Sequence, residues 1–470
     1  MEKLKSIVEW VYIHAVKTPE KLCVCSQNEE YTYSQFWKKI VKNAVTLAYN
    51  GVKKEDKVII ESSSTAAYFS VLFGVQLLGA TAVPVEKGIN DFRLKEISEE
   101  INPKLVLKGD YLLPVPEDIQ ERCSAWNVVF PDMDNVQEIL YTSGTTGKPK
   151  GVMITYRIQS GISQNANHTI VYPADTVWFI ATPTNHGGAL RRTYMALMNG
   201  STVVLHDGFK DIVSVFQLID KYKATVLFLP PSIIHFMIIM CRGNLGKLDR
   251  QLDFIYSSGS VLLSSDKEQL NKILPSVRKY DVYSSTEAGD IGYIRYDNLP
   301  NNSGNKVFFK PFPLVEVFTT DAAGNQSVEG IIHIKSPFIM RGYFNSPNPS
   351  KNTFSSSDIG TLKEGCLFTL IGRKDDVCNI NGLKVSCSEI EDKAEQFHGV
   401  REACCVFKDV DEFNKYLNLY VVSKKGCEIN KEKLFSYLST SLEAYKVPKN
   451  IYIVDEIPKT TNGKILKNKL

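Results

Sequence analysis

The sequence predicts an α/β protein built on largely parallel sheets, followed by an antiparallel β part and a smaller α+β module. Three observations carry this. Short β-rich runs alternate with helical periods over roughly the first 295 residues; strands separated by glycine-bearing turns follow; and a charged segment begins beyond Asp375. At 470 residues the chain is too long for one ordinary domain and fits two or three.

The elements follow in order. Apolar spacing over residues 36–49 predicts an amphipathic helix, and residues 57–61 read as a short buried strand. Residues 66–78 form the next helix, stopped near Gly79, with a strand at 82–85. Residues 105–107, 203–205, 226–229 and 254–256 continue the β-rich runs, with helices at 212–222 and 265–274 among them. Residues 315–319, 330–335 and 366–370 read as antiparallel strands. The last module holds helices at 388–396 and 431–442 and strands at 403–407, 417–422 and 451–454. The domain boundary is expected near Lys374–Asp375, and no internal repeat is evident.

Apolar residues make up 43% of the chain, enough for substantial cores. With 55 Lys plus Arg against 52 Asp plus Glu, the formal charge is +3. That balance argues against a nucleic-acid partner and a polybasic membrane anchor. The most apolar segments, 71–85 and 233–240, are too short and broken for a membrane span and are expected in the core. Residues 1–10 lack the apolar stretch of a secretory signal. Ten cysteines include no C-x-x-C spacing; Cys23 and Cys25 lie one residue apart, and Cys404 and Cys405 are adjacent. Reduced, mostly buried thiols in a cytoplasmic protein are the expectation.

The stretch Tyr141-Thr-Ser-Gly-Thr-Thr-Gly-Lys-Pro-Lys-Gly-Val152 concentrates hydroxyls, glycines and lysines in one loop. Glycine lets backbone N–H groups approach an anion, Ser143, Thr145 and Thr146 add O–H donors, and Lys148 and Lys150 add charge. Such a loop suits a polyphosphate. It is not the usual P-loop: two residues separate Gly144 from Gly147, and Pro149 follows Lys148. Tyr283-Ser-Ser-Thr-Glu287 reads as a strand end entering a loop, where ligands bind in α/β sheets. Thr286 can donate to a phosphate and Glu287 can hold Mg2+. In isolation Ser-Thr-Glu reads as a helix cap, Asp358 as a turn residue, and Lys464 as a solvated charge.

The glycine loop resembles that of the adenylate-forming superfamily, which includes acyl-CoA synthetases, adenylation domains of peptide synthetases and luciferases. Further motifs follow in that family's order from the Leu78–Gly–Ala region to Lys464. The resemblance implies a large N-terminal domain, residues 1–373, with a small β-barrel-like part. A hinge at 374–375, centred on Asp375, joins it to a small mobile C-terminal domain, residues 376–470. It also implies that Thr142, Ser143, Gly144, Thr145, Thr146, Gly147, Lys148 and Ser284 bind ATP, with Thr286 at the α-phosphate. Ser284 stands where the family has glycine. Mg2+ is expected at Glu287 and Thr145, the ribose hydroxyls at Asp358, and the nucleotide also at Arg373, whose planar fork suits oxygen acceptors.

His186, Gly187, Ser258 and Gly259 are assigned to the acid substrate, and Gly382 to the passing phosphopantetheine arm of CoA or of a carrier protein. Asn379 stands where a lysine is common, and Ile331 replaces a glutamate in the segment 330–343, which is given no chemistry. Lys464, in Pro458-Lys-Thr-Thr-Asn-Gly-Lys464, is the family's lysine that bridges carboxylate and α-phosphate. Lys374 and Asp376 are read as linker charges. Arg191 and Arg192 are expected at the surface, although they could face an anionic substrate tail.

Amino-acid-activating relatives carry Phe-Asp near Gly187; the Gly187-Gly-Ala-Leu-Arg-Arg192 run lacks that acid, so a fatty, aryl or other non-amino carboxylic acid is expected. The implied reaction is acyl-AMP formation with release of pyrophosphate, then transfer to CoA. Loading of a carrier protein is one alternative, and a non-catalytic nucleotide sensor or scaffold another.

Overall fold

Parallel strands dominate two large sheets, as the alternating runs require. The computed structural model describes residues 4–142, 150–260, 262–297, 308–346, 352–373, 377–380, 383–409, 415–442, 446–459 and 465–470. These fall into two compact units, one drawn from 1–304, 309–316 and 335–354, the other from 305–308, 317–334 and 355–470.

In the first unit, Lys57–Glu61 pairs in parallel with Thr81–Val85 and with Leu105–Leu107. Val136–Thr142 joins the other side of Thr81–Val85, Lys150–Thr155 returns antiparallel, and Gly342–Tyr343 closes that edge, giving six strands among the described residues. The second sheet has nine described strands. Its parallel centre runs through Arg278–Ser285, Phe254–Ser258, Val226–Phe228, Val177–Ile180, Thr202–Leu205 and Leu22–Cys25. Gly289–Arg295 and Lys310–Pro311 extend one edge antiparallel, and Glu30–Thr32 the other. The central strands Thr81–Val85, Thr202–Leu205 and Val226–Phe228 are wholly buried, as sheets covered on both faces demand.

The first predicted helix begins three residues early, at Tyr33–Tyr49, because Thr32 and Gln35 form a capping box. Ala66–Leu77 is apolar all round and buried on every face. Its Phe69 and Phe73 share a core with Phe36, Trp178 and Tyr194. The segment 233–240 meets its core expectation only in part: within Pro231–Met240, Ile234, Met237 and Ile238 are buried, whereas Ile239 and Met240 are exposed. No helix among the described residues is long and apolar enough to cross a membrane. Six of the nine cysteines whose side chains are described are buried, which places those thiols in the interior as expected.

In the second unit, Glu329–Lys335, Thr353–Lys363 and Leu367–Arg373 stand in that order in a four-stranded sheet edged by Glu316–Thr320. Val400–Asp409 and Lys415–Ser423 form a long hairpin with Asn450–Ile453 parallel to it, backed by helices Cys387–Glu395 and Lys431–Ser441. Val377–Ile380 and Leu383–Ser386 pair antiparallel. The expected hinge at 374–375, including Asp375, and Gly382 and Lys464 lie outside the described residues.

Candidate active site

Strand Arg278–Ser285 runs parallel to Phe254–Ser258 and reverses into Gly289–Arg295, so Thr286–Glu287–Ala288 form a hairpin tip at the carboxyl ends of the parallel strands. No helix follows Thr286; the chain turns back. Three residues close the loop because Gly289 takes φ +73°. A Cβ there would also stand 2.7 Å from the Ile162 side chain. The Ala288 N–H donates to Ser285 Oγ over 3.0 Å, satisfying the inside of the turn. Ser258 Oγ lies 2.7 Å from Ser284 Oγ and ties the neighbouring strand ends together. Gly259, next along, takes φ +112° with open space where a Cβ would be.

His186 caps the helix Gly187–Met198 without a side-chain capping bond, and its Nε2 lies 3.2 Å from Asn185 Nδ2. A helix N-terminus carries partial positive charge, which suits a carboxylate or phosphate. Arg191 and Arg192 on this helix correct the surface expectation: they are 3% and 2% exposed. Every residue of the helix except Gly188 is buried, so it offers the arginines no solvent face.

Arg191 Nη1 donates to the Ser285 carbonyl and Nη2 to the Thr286 carbonyl, each at 2.6 Å. Arg192 Nη2 donates to both oxygens of Asp290, at 2.8 and 2.7 Å, with its guanidinium 4.3 Å from the Tyr256 ring centre. Tyr256 Oη also donates to Asp290, over 3.2 Å. Burial opposes the Arg192 charge, yet Asp290 holds its pKa above the usual value. For Arg191 burial prevails and lowers the pKa, against the fields of Asp290, Glu138 and Glu287.

The six-stranded sheet reaches the same tip. Thr142 and Lys150 are register partners, at the strand ends flanking the glycine loop. Ser143, Gly144, Thr145, Thr146, Gly147 and Lys148 lie outside the described residues. Tyr343 pairs with Val152 on the strand leaving that loop and donates its hydroxyl to Glu287 Oε1 over 3.1 Å. The Met340 N–H donates to the Glu287 carbonyl over 2.7 Å, and Lys150 Nζ stands 5.2 Å from the Tyr343 ring centre. Tyr343 thus links the glycine-loop sheet to the hairpin tip. The half-buried Glu287, with one oxygen fixed by Tyr343, fits the hard oxygen donor that Mg2+ requires.

Glu138, on the strand entering the glycine loop, is fully buried and accepts from Tyr194 Oη over 2.8 Å. Its other oxygen has no hydrogen-bond partner among the described residues, and burial pushes its carboxyl up to about 7. Glu138, Tyr343 and Asp290 were not singled out in the sequence. A charge inside an apolar run was the available signal for Glu138 and Asp290; Tyr343 offered none.

In the second unit, Asp358 lies within strand Thr353–Lys363 instead of a turn, because ladder pairing with Leu367–Arg373 overrides the turn preference. Asp358 and Arg373 are direct register partners. They belong to the second unit, whereas Ser258, Ser284, Thr286, Glu287, His186 and Gly187 belong to the first.

A family model described as AMP-binding enzyme matches residues 11–344, and one described as AMP-binding enzyme C-terminal domain matches 389–464. Feruloyl-CoA synthase of an Amycolatopsis species is 25% identical over 98% of this chain and 97% of its own. A plipastatin synthase of Bacillus subtilis is 25% identical over 96% of this chain, which spans only 13% of that protein. The ATP-bound structure of MatB from Rhodopseudomonas palustris shares the fold, with a TM-score of 0.87 at 20% identity over 99% of this chain and 98% of its own.

Proposed function

The chain belongs to the AMP-binding enzyme family, and on that basis we propose that it activates a non-amino carboxylic acid with ATP and passes the acyl group to the thiol of CoA. The observation that carries the proposal is the hairpin tip. Thr286 and Glu287 stand at the ends of parallel strands, beside Ser258 and Ser284, and Tyr343 ties them to the strand leaving the glycine loop.

In the first half-reaction a carboxylate oxygen of the substrate bonds to the α-phosphorus of ATP while the bond to pyrophosphate breaks. Negative charge accumulates on the phosphoryl oxygens, so donors matter more than a general base. Thr286 is assigned as an O–H donor to that phosphate, with the glycine-loop residues on the distal phosphates and Lys464 bridging the two reactants. Glu287 and Thr145 would hold Mg2+, which supplies charge neutralisation on the triphosphate. Asp358 is assigned to the ribose hydroxyls and Arg373 to the nucleotide. His186 and Gly187 receive the acid at the helix start, with Ser258 and Gly259.

In the second half-reaction the thiol sulfur attacks the acyl carbon, AMP leaves, and the thiol proton passes to solvent. Gly382 is assigned beside the phosphopantetheine arm, and rotation about Asp375 withdraws Lys464. The absence of the Phe-Asp pair near Gly187 supports a non-amino acid. The test is AMP release across a panel of fatty, aryl and amino acids, with CoA or a phosphopantetheinylated carrier protein as acceptor. Preference for a non-amino acid with CoA is expected; preference for an amino acid, or for the carrier, overturns the corresponding part.

A further inference from the structure

We propose that Arg191 is a positioning residue that locks the nucleotide-facing hairpin tip to the helix receiving the acid. This rests on the functional reading above, which assigns Thr286 to the α-phosphate and His186 and Gly187 to the acid.

The geometry is a two-pronged clamp. Arg191 leaves the second turn of Gly187–Met198, and its side chain folds back toward the helix start, as helical side chains do. An ideal Cβ built on Gly187 would stand 3.4 Å from its guanidinium carbon. From there the two Nη groups reach the successive carbonyls of Ser285 and Thr286, both at 2.6 Å. The planar fork meets each acceptor from a separate nitrogen held in a fixed plane, a geometry that the single nitrogen of an ammonium does not reproduce. One guanidinium therefore fixes the backbone on either side of the Thr286 N–Cα bond relative to the helix that begins at His186.

The position is electrostatically unfavourable for a cation. Burial lowers the pKa, the helix start is itself positive, Arg192 adds like charge, and Nε has no hydrogen-bond partner among the described residues. Asp290, Glu138 and Glu287 oppose this through their fields, but Asp290 is paired with Arg192, and no carboxylate among the described residues forms an ion pair with Arg191. A charge held there at such cost, with its two short bonds both made to the hairpin tip, is placed to hold that tip.

The experiment compares wild type with Arg191→Met and Arg191→Lys in acid-dependent ATP–pyrophosphate exchange, each well below its own melting temperature. The expected result is a rise of at least tenfold in the KM for ATP in Arg191→Met, with a fall in kcat, and a smaller rise in Arg191→Lys. A loss of kcat with the KM for ATP unchanged marks a merely structural residue and overturns the proposal, as does wild-type behaviour. If Arg191→Met does not fold, the same split in Arg191→Lys decides. If wild type exchanges with no acid, the functional reading fails separately. Calorimetric binding of ATP then decides: at least tenfold weakening in the folded variant supports the clamp, and unchanged binding overturns it.

Discussion

Arg192 and Asp290 meet in a buried ion pair, the arginine Nη2 lying 2.8 and 2.7 Å from the two carboxylate oxygens. Their side chains are 2% and 3% exposed. Removing one partner strands a charge in the interior, so Asp290→Asn is expected to destabilise the protein by about 3 kcal/mol. Replacing both by apolar residues of similar volume is expected to restore most of the loss. Denaturant melts of the single and double variants check this; equal stability of Asp290→Asn and wild type contradicts it.

Glu138 gives a pH signature. Burial raises its carboxyl to about 7, against about 4.3 in the unfolded chain. The native state therefore holds a proton that the unfolded chain gives up between those values. The contribution is fully present below the unfolded pKa and is lost as pH rises through 7. Glu138→Gln is neutral throughout, so its stability relative to wild type should rise by on the order of 3 kcal/mol between pH 4 and pH 8. Thermal melting across that range measures it. A difference between the two proteins that does not grow with pH contradicts the assignment.

Gly289 closes the hairpin tip at φ +73°, with Ile162 at 2.7 Å from a Cβ there. Gly289→Ala is expected to cost about 2 kcal/mol from backbone strain and crowding. Because the tip carries Thr286 and Glu287, the KM for ATP should rise with it. Unaltered stability and an unaltered KM for ATP in that variant count against this account of the turn.

The role proposed for Lys464 is confined to the first half-reaction. Lys464→Ala is expected to abolish acyl-adenylate formation while largely sparing thioester formation from a pre-made adenylate. Normal pyrophosphate exchange in that variant refutes the role.

Much of the fold was legible because buried parallel strands leave an unmistakable pattern. The run Lys57–Glu61 matched to the residue, since its apolar centre is bounded by charges. Tyr33–Tyr49 began earlier than its apolar spacing suggested, because a cap, rather than periodicity, starts the helix. At the site, residues contiguous in sequence were readable: Thr286 and Glu287 do sit at a strand end. What could not be read were side chains that matter through distant partners. Arg191 is a charged residue but lies in a helix buried at every position except Gly188. Tyr343 acts on Glu287 from a strand 56 residues further along, a separation no local pattern records. Asp358 looked like a turn residue until its ladder partner Arg373 was in place.

The most direct measurement is acid-dependent exchange of labelled pyrophosphate into ATP by the purified protein with Mg2+ and a broad panel of carboxylic acids. The account predicts exchange that requires a non-amino acid and disappears when acid is omitted. No exchange with any acid, while ATP remains bound and intact, would contradict it.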